Sequence, residues 1–190
     1  MFKRGFKTFC EQTAEAIRRQ RRLPIWEPLE AKVIATEMQA RVVTPDELPA
    51  LPKDVRQRLL TKHSEVWSAI TISAVPPVIV YNPMHSPARQ NSDLMHELAH
   101  LLLEHVPSQV YIDPKTRVAL RHHDKEQEEQ ANWLAACLLL PRAALLRIKQ
   151  VNLSDSDVCA RYVVSLDMLR FRMGTSGVNL QYQRRQRYSR

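Results

Sequence analysis

Leu94-Met95-His96-Glu97-Leu98-Ala99-His100-Leu101-Leu102-Leu103 is the stretch on which the reading of this chain turns. Its apolar residues fall on most sides of a helix, the pattern of a helix buried in a core. His96 and His100, four residues apart, then project from one face with about 6 Å of rise between them. Two imidazoles so placed share one divalent cation, typically zinc. Glu97 points to the side, too far round for the same coordination. It is placed to take a proton from metal-bound water and pass it to a leaving amine. The bland alternative is a buried histidine pair beside a solvated glutamate, and the apolar helix around the pattern weighs against it.

Working outward, the helix is expected to start near Ser92, capped by Asn91 or Ser92, after a loop from Asn82 that holds two prolines and His85. Upstream, Val66–Ile72 and Val78–Tyr81 are β-branched runs that read as strands joined around Pro76-Pro77, with Arg41–Thr44 as a third. Short helices are expected near 28–39 and 52–62, and an amphipathic one over 6–22. Downstream, a loop to about Asp124 precedes a helix from Lys125 to Leu140, closed by Pro141. Short helices near 142–149, 154–162 and 165–173 follow, before Gly174 and Gly177 open the tail.

A tetrahedral site needs a third protein ligand, with one position left for water. The helix after Asp124 is the best source. Glu128 lines up with Ala131, Ala135 and Leu138, the small-residue face that would lie against the histidine helix. Asn132, one turn on, is placed to orient a ligand histidine from behind. Glu126 and Glu129 read instead as part of a charged outer face, and periodicity favours Glu128 over both. Zinc is the default ion for such a set, although manganese and iron(II) also suit two imidazoles and a carboxylate.

His96 to Leu103, followed by Glu128-Glu129-Gln130-Ala131-Asn132-Trp133-Leu134-Ala135-Ala136-Cys137-Leu138-Leu139-Leu140-Pro141, resembles the ImmA/IrrE-type metallopeptidases. Their second signature reads approximately E-x-E-A-N-x-F-A-A-x-L-L-M-P. Arg4-Gly5-Phe6-Lys7 and Leu23–Leu29 are similar to that group's leading helix, so the resemblance runs from about residue 3 to 141. The chain departs from the pattern at Gln130, where Glu is usual, and at Trp133-Leu134. The resemblance implies a compact, zincin-like α+β fold, a small antiparallel sheet packed on helices. It implies His96, His100 and Glu128 as zinc ligands and Glu97 as catalytic base. It also implies a substrate class, a helix-turn-helix transcriptional repressor cut to release stress or mobile-element genes.

Composition bounds these expectations. The chain has 190 residues, 44% of them hydrophobic and 25% charged, as in a folded globular protein. The net charge of +8 is concentrated at the two ends: residues 1–22 carry +5, the last ten +4, and residues 23–180 only −1. The middle is therefore not a basic nucleic-acid-binding body. Three scattered cysteines, Cys10, Cys137 and Cys159, fit neither a disulfide framework nor a zinc ribbon. The longest uninterrupted apolar run, Trp133–Leu140, is too short to span a bilayer, and the basic N-terminus leads into Glu11 and Gln12 instead of an apolar segment. A cytoplasmic protein without a membrane partner is expected. Three parts are anticipated: a basic amphipathic helix over 1–28, a peptidase core over 29–150, and a helical segment with a basic tail over 151–190.

Ser154–Met173 supports a rival reading. Val158 to Arg170 resembles helix, turn, helix, with Ser165 capping the second helix, and the Arg184–Arg190 tail would add phosphate contacts. That would make the chain a DNA-binding regulator with a merely structural metal site, unless the two helices simply pack on the core. His105, five residues past His100 and so about 140° round the helix, reads as a surface residue. His122 or His123 is positioned to reach a substrate. Tyr81, Tyr111 and Tyr162 are each able to donate to a tetrahedral oxyanion, and the sequence does not rank them.

Overall fold

A computed structural model describes residues 2–106, 110–112, 119–121 and 124–188. Helix α1 (Phe6–Gln20) begins after Gly5, which takes the left-handed φ of 90° that costs glycine nothing. Next come α2 (Ala31–Glu37), β1 (Arg41–Val43), α3 (Lys53–Leu60), β2 (Ala69–Ala74) and β3 (Pro77–Tyr81). Helix α4 (Pro87–Leu102) carries the two histidines, and β4 (Val110–Ile112) and β5 (Ala119–Arg121) pair as an antiparallel ribbon after it. Then follow α5 (Lys125–Leu139), α6 (Arg142–Val151), α7 (Asp155–Tyr162), α8 (Leu166–Thr175) and α9 (Val178–Tyr188).

The α+β class with a small sheet on helices is as expected, but the sheet is mixed rather than wholly antiparallel. Strand β3 is central, with β2 antiparallel on one side and β1 parallel on the other, Val42 opposite Ile79. The chain leaves β1 through α3 before returning to the sheet, and that long crossover is what a parallel pair requires. Helix α4 starts five residues earlier than expected. Ser86 is its N-cap, accepting from the Arg89 amide, and Pro87 occupies the first helical position, where its missing N–H costs nothing. The expected cap at Ser165 does form, accepting from the Met168 amide, and Asp124 caps α5 by accepting from the Glu126 and Gln127 amides. The tail that begins after Gly177 is helical as α9.

Helices α4 and α5 pack together at the centre. Leu94, Leu98, Leu134, Leu138 and Leu139 are fully buried, at roughly 2–3 kcal/mol each, and Ala99, Ala131 and Ala135 keep the two backbones close. The sheet adds Ile79 and α1 adds Cys10 and Ala14 to the same core. Lys125–Val151 is apolar and long enough to cross a membrane by length and composition, but it is two helices separated at Pro141 and mostly buried inside the protein.

Two arginines close the far end of α5. Arg18, fully buried, donates to the carbonyls of Ala14, Glu27 and Leu138. Arg172 donates to the Leu140 carbonyl and to Glu11. Asn91 acts as a tie at the near side, accepting from the Ala31 amide and donating to the Val163 carbonyl.

Candidate metal centre

His96 and His100 stand on the last two turns of α4, and Glu128 faces them from the first turn of α5. His96 Nε2 lies 3.1 Å from His100 Nε2 and 3.3 Å from Glu128 Oε2, while His100 Nε2 lies 3.6 Å from Glu128 Oε1. One donor atom from each residue falls within a span of 4.8 Å. Nitrogen and oxygen ligands about 2.0–2.1 Å from a tetrahedral ion sit about 3.3–3.4 Å from one another, so this donor set fits a small divalent cation. The three side chains are 20–30% exposed, which leaves the cluster open to solvent and to a substrate. Burial, and then the neighbouring His96, push His100 below the usual imidazole range, keeping it in the neutral form that ligates.

Glu97, one residue on from His96, is not among the three converging donors but is near enough for its charge to act on His100. Its carboxylate is buried against the sheet: Oε2 accepts from the Thr71 amide at 2.9 Å and the Thr71 hydroxyl at 2.6 Å. Strand β2 thus holds one oxygen of the glutamate, and Oε1 has no hydrogen-bond partner among the described residues. Thr71 carries no sequence signal of its own, since the contact exists only because an edge strand runs beside α4.

Asn132 does not orient a ligand. It lies on the exposed side of α5, because the face turned to α4 is that of Ala131 and Ala135, and no hydrogen bond links it to either imidazole. His105 stands behind His100 instead. The end of α4 explains why. Glu104 adopts a left-handed φ of 52°, its amide bonds the Leu101 carbonyl, and the His105 amide bonds the His100 carbonyl. Those two bonds make a Schellman motif, which folds the chain back over the last turn. The His105 ring therefore meets His100, Nδ1 to Nδ1 at 2.9 Å, and is not the surface residue that a continued helix would have made it. A proline at 107 was the available signal that the helix stops here.

The remaining residues fall away from the centre. His85 is buried and fixed by Asp93 and the Ser64 carbonyl. Tyr162 donates to the Trp26 carbonyl and Tyr81 lies under Lys32, so neither faces the cluster. His122, His123 and the Tyr111 side chain lie outside what the structure describes. Helices α7 and α8 do form a helix, turn, helix, but Val158, Tyr162, Leu169 and Arg172 are turned into the core and Arg161 pairs with Glu27. The cysteines are free; the Cys10 contact and burial raise the Cys137 thiol far above its ordinary range, so it is inert.

A family model for peptidase family M78, described as the IrrE N-terminal-like domain, matches residues 47–173, from before α3 into α8. A solved structure of a Mycobacterium tuberculosis transcriptional regulator has the same fold, with a TM-score of 0.51 at 14% identity over 87% of this chain. The chain spans 47% of that protein, about half its length. No curated protein matches the sequence.

Proposed function

The chain belongs to peptidase family M78, the IrrE N-terminal-like domain family, and from that premise we propose that it is a metal-dependent endopeptidase. The observation that carries this reading is the convergence of His96, His100 and Glu128 on one point with Glu97 adjacent in sequence on the same helix. His96 and His100 would hold the ion through Nε2 and Glu128 through its carboxylate, with zinc the first choice and manganese or iron(II) the alternatives. When bound, the ion supplies Lewis acidity, polarising the scissile carbonyl and making water acidic enough to attack at neutral pH.

The chain's own residues do the rest. Glu97 Oε1 takes the proton from the attacking water and returns it to the departing amine nitrogen. Thr71, by occupying Oε2, leaves Oε1 as the oxygen open to take the proton and limits the rotamers open to the base. The partly exposed cluster admits an extended peptide, while the buried faces of α4 and α5 keep the ligands from collapsing.

The substrate in this reading is a helix-turn-helix repressor, cut in the cytoplasm to release stress or mobile-element genes. Its support is the family resemblance. The decisive experiment co-expresses the chain with candidate helix-turn-helix repressors from the same source and follows cleavage products. Glu97→Gln should lower cleavage by about a thousandfold while retaining one metal per chain. Undiminished cleavage by that variant removes Glu97 from the role of base. Salt-sensitive duplex binding that depends on Arg161 and Arg170, with no cleavage, would favour instead a DNA-binding regulator acting through Ser154–Met173 and the Arg184–Arg190 tail.

A further inference from the structure

A row of four side chains runs from the surface to the back of one proposed ligand. Gln130 Nε2 donates to Glu126 Oε1 at 3.1 Å, Gln130 Oε1 meets His105 Nε2 at 3.1 Å, and His105 Nδ1 meets His100 Nδ1 at 2.9 Å. The direction of every bond follows from its first member. A carboxylate only accepts, so the Gln130 amide must present its NH2 to Glu126 and its oxygen to His105. That oxygen also only accepts, so His105 carries its hydrogen on Nε2 and offers a lone pair at Nδ1. His100 then donates from Nδ1, and its Nε2 is left as a lone pair on the side of His96 and Glu128. His96 has no such support: its Nδ1 is buried without a hydrogen-bond partner among the described residues.

We propose that His105 and Gln130 are positioning residues that fix the tautomer and ring orientation of His100, so that the chain presents a ready Nε2 ligand before any cation arrives. The inference rests on the metal-peptidase reading for its purpose but not for its geometry. The Schellman motif at Glu104 is the device that delivers it, since only a chain reversal there brings residue 105 behind residue 100. Backing of this kind is worth about 10–100-fold in metal affinity.

The test uses the full chain and two readouts. Nitrogen-15 NMR of the metal-free protein reports the tautomer of His100, and competition against a chromophoric chelator reports zinc affinity. Wild type should show His100 protonated at Nδ1. His105→Phe and Gln130→Leu should each lose that single tautomer and bind zinc about 10–100-fold more weakly. Gln130→Glu keeps an acceptor facing His105 and should restore both. Unchanged affinity and an unchanged tautomer in Gln130→Leu, a partly exposed position where misfolding is not the concern, overturns the proposal. Should wild type show the tautomer yet bind no zinc, the relay stands and the peptidase reading falls.

Discussion

Helix α5 has two charged ends that are built on opposite principles. At its C-terminal end, Arg18 and Arg172 are almost wholly buried, and their guanidinium groups reach the Leu138 and Leu140 carbonyls that the helix leaves unsatisfied. Cations suit that end of the helix dipole, and Glu11 balances Arg172. Burial pulls Arg18 down to about 10 against the opposing pull of Tyr162, Glu11 and Glu27, so it stays charged at neutral pH. At the N-terminal end, Glu128 and the two imidazoles bring acceptors together, partly exposed. The first end uses charge whose partners are all internal, as a structural joint needs. The second gathers like groups whose natural partner is a cation, as a binding centre needs. The contrast separates charge kept for the fold from charge kept for chemistry.

Breaking the joint should give the largest effect on stability. Arg172→Met leaves the Leu140 carbonyl without its donor and Glu11, still held by the Arg142 amide, without its counter-charge, and should cost about 3 kcal/mol in urea unfolding, with zinc affinity of the folded protein little changed. A loss below 1 kcal/mol would show that the two ends are not so different. Zinc should act only at the other end. At a hundredfold excess over its dissociation constant it should stabilise wild type by about 2.7 kcal/mol, and His96→Ala or Glu128→Ala should abolish that gain.

Acidity should also separate the ends. The folded protein holds His100 below its ordinary value of 6.5, so the unfolded chain binds that proton more readily. The stability this contributes is complete above pH 6.5 and drains away as pH falls below it. Urea titrations of the metal-free protein at pH 7.5 and 5.5 should show the decline, and His100→Gln should lessen it. The smallest effect belongs to the reversal that carries His105. Glu104 sits in a left-handed conformation that glycine adopts freely, so Glu104→Gly should be neutral or stabilise by up to about 1 kcal/mol and leave the His105–His100 contact intact. A clear loss of stability would mean the Glu104 side chain itself contributes.

Legibility of the site divided along a physical line. The pairing of His96 with His100 was readable because spacing along one helix fixes the face, and Glu128 was separable from Glu126 and Glu129 because alanines mark the side that packs. Asn132 failed by the same geometry: one turn from Glu128 is still about 40° round, enough to reach solvent. His105 was misplaced because the extrapolation carried a helix past its own end. The parallel pairing of β1 was hidden because strand direction depends on a crossover path.

By itself, then, the sequence determined the helix that carries the histidines, the third donor of the cluster and the cap at Ser165, while the α+β class came from the family resemblance. The helix, the donor and the cap follow from local periodicity and from hydrogen bonds between residues a few positions apart. Only the tertiary structure decided that Thr71 grips Glu97, that Gln130 backs His105, and that two arginines finish α5. Those contacts join groups from different elements, and which elements become neighbours is set by the packing of the whole core and by no single segment.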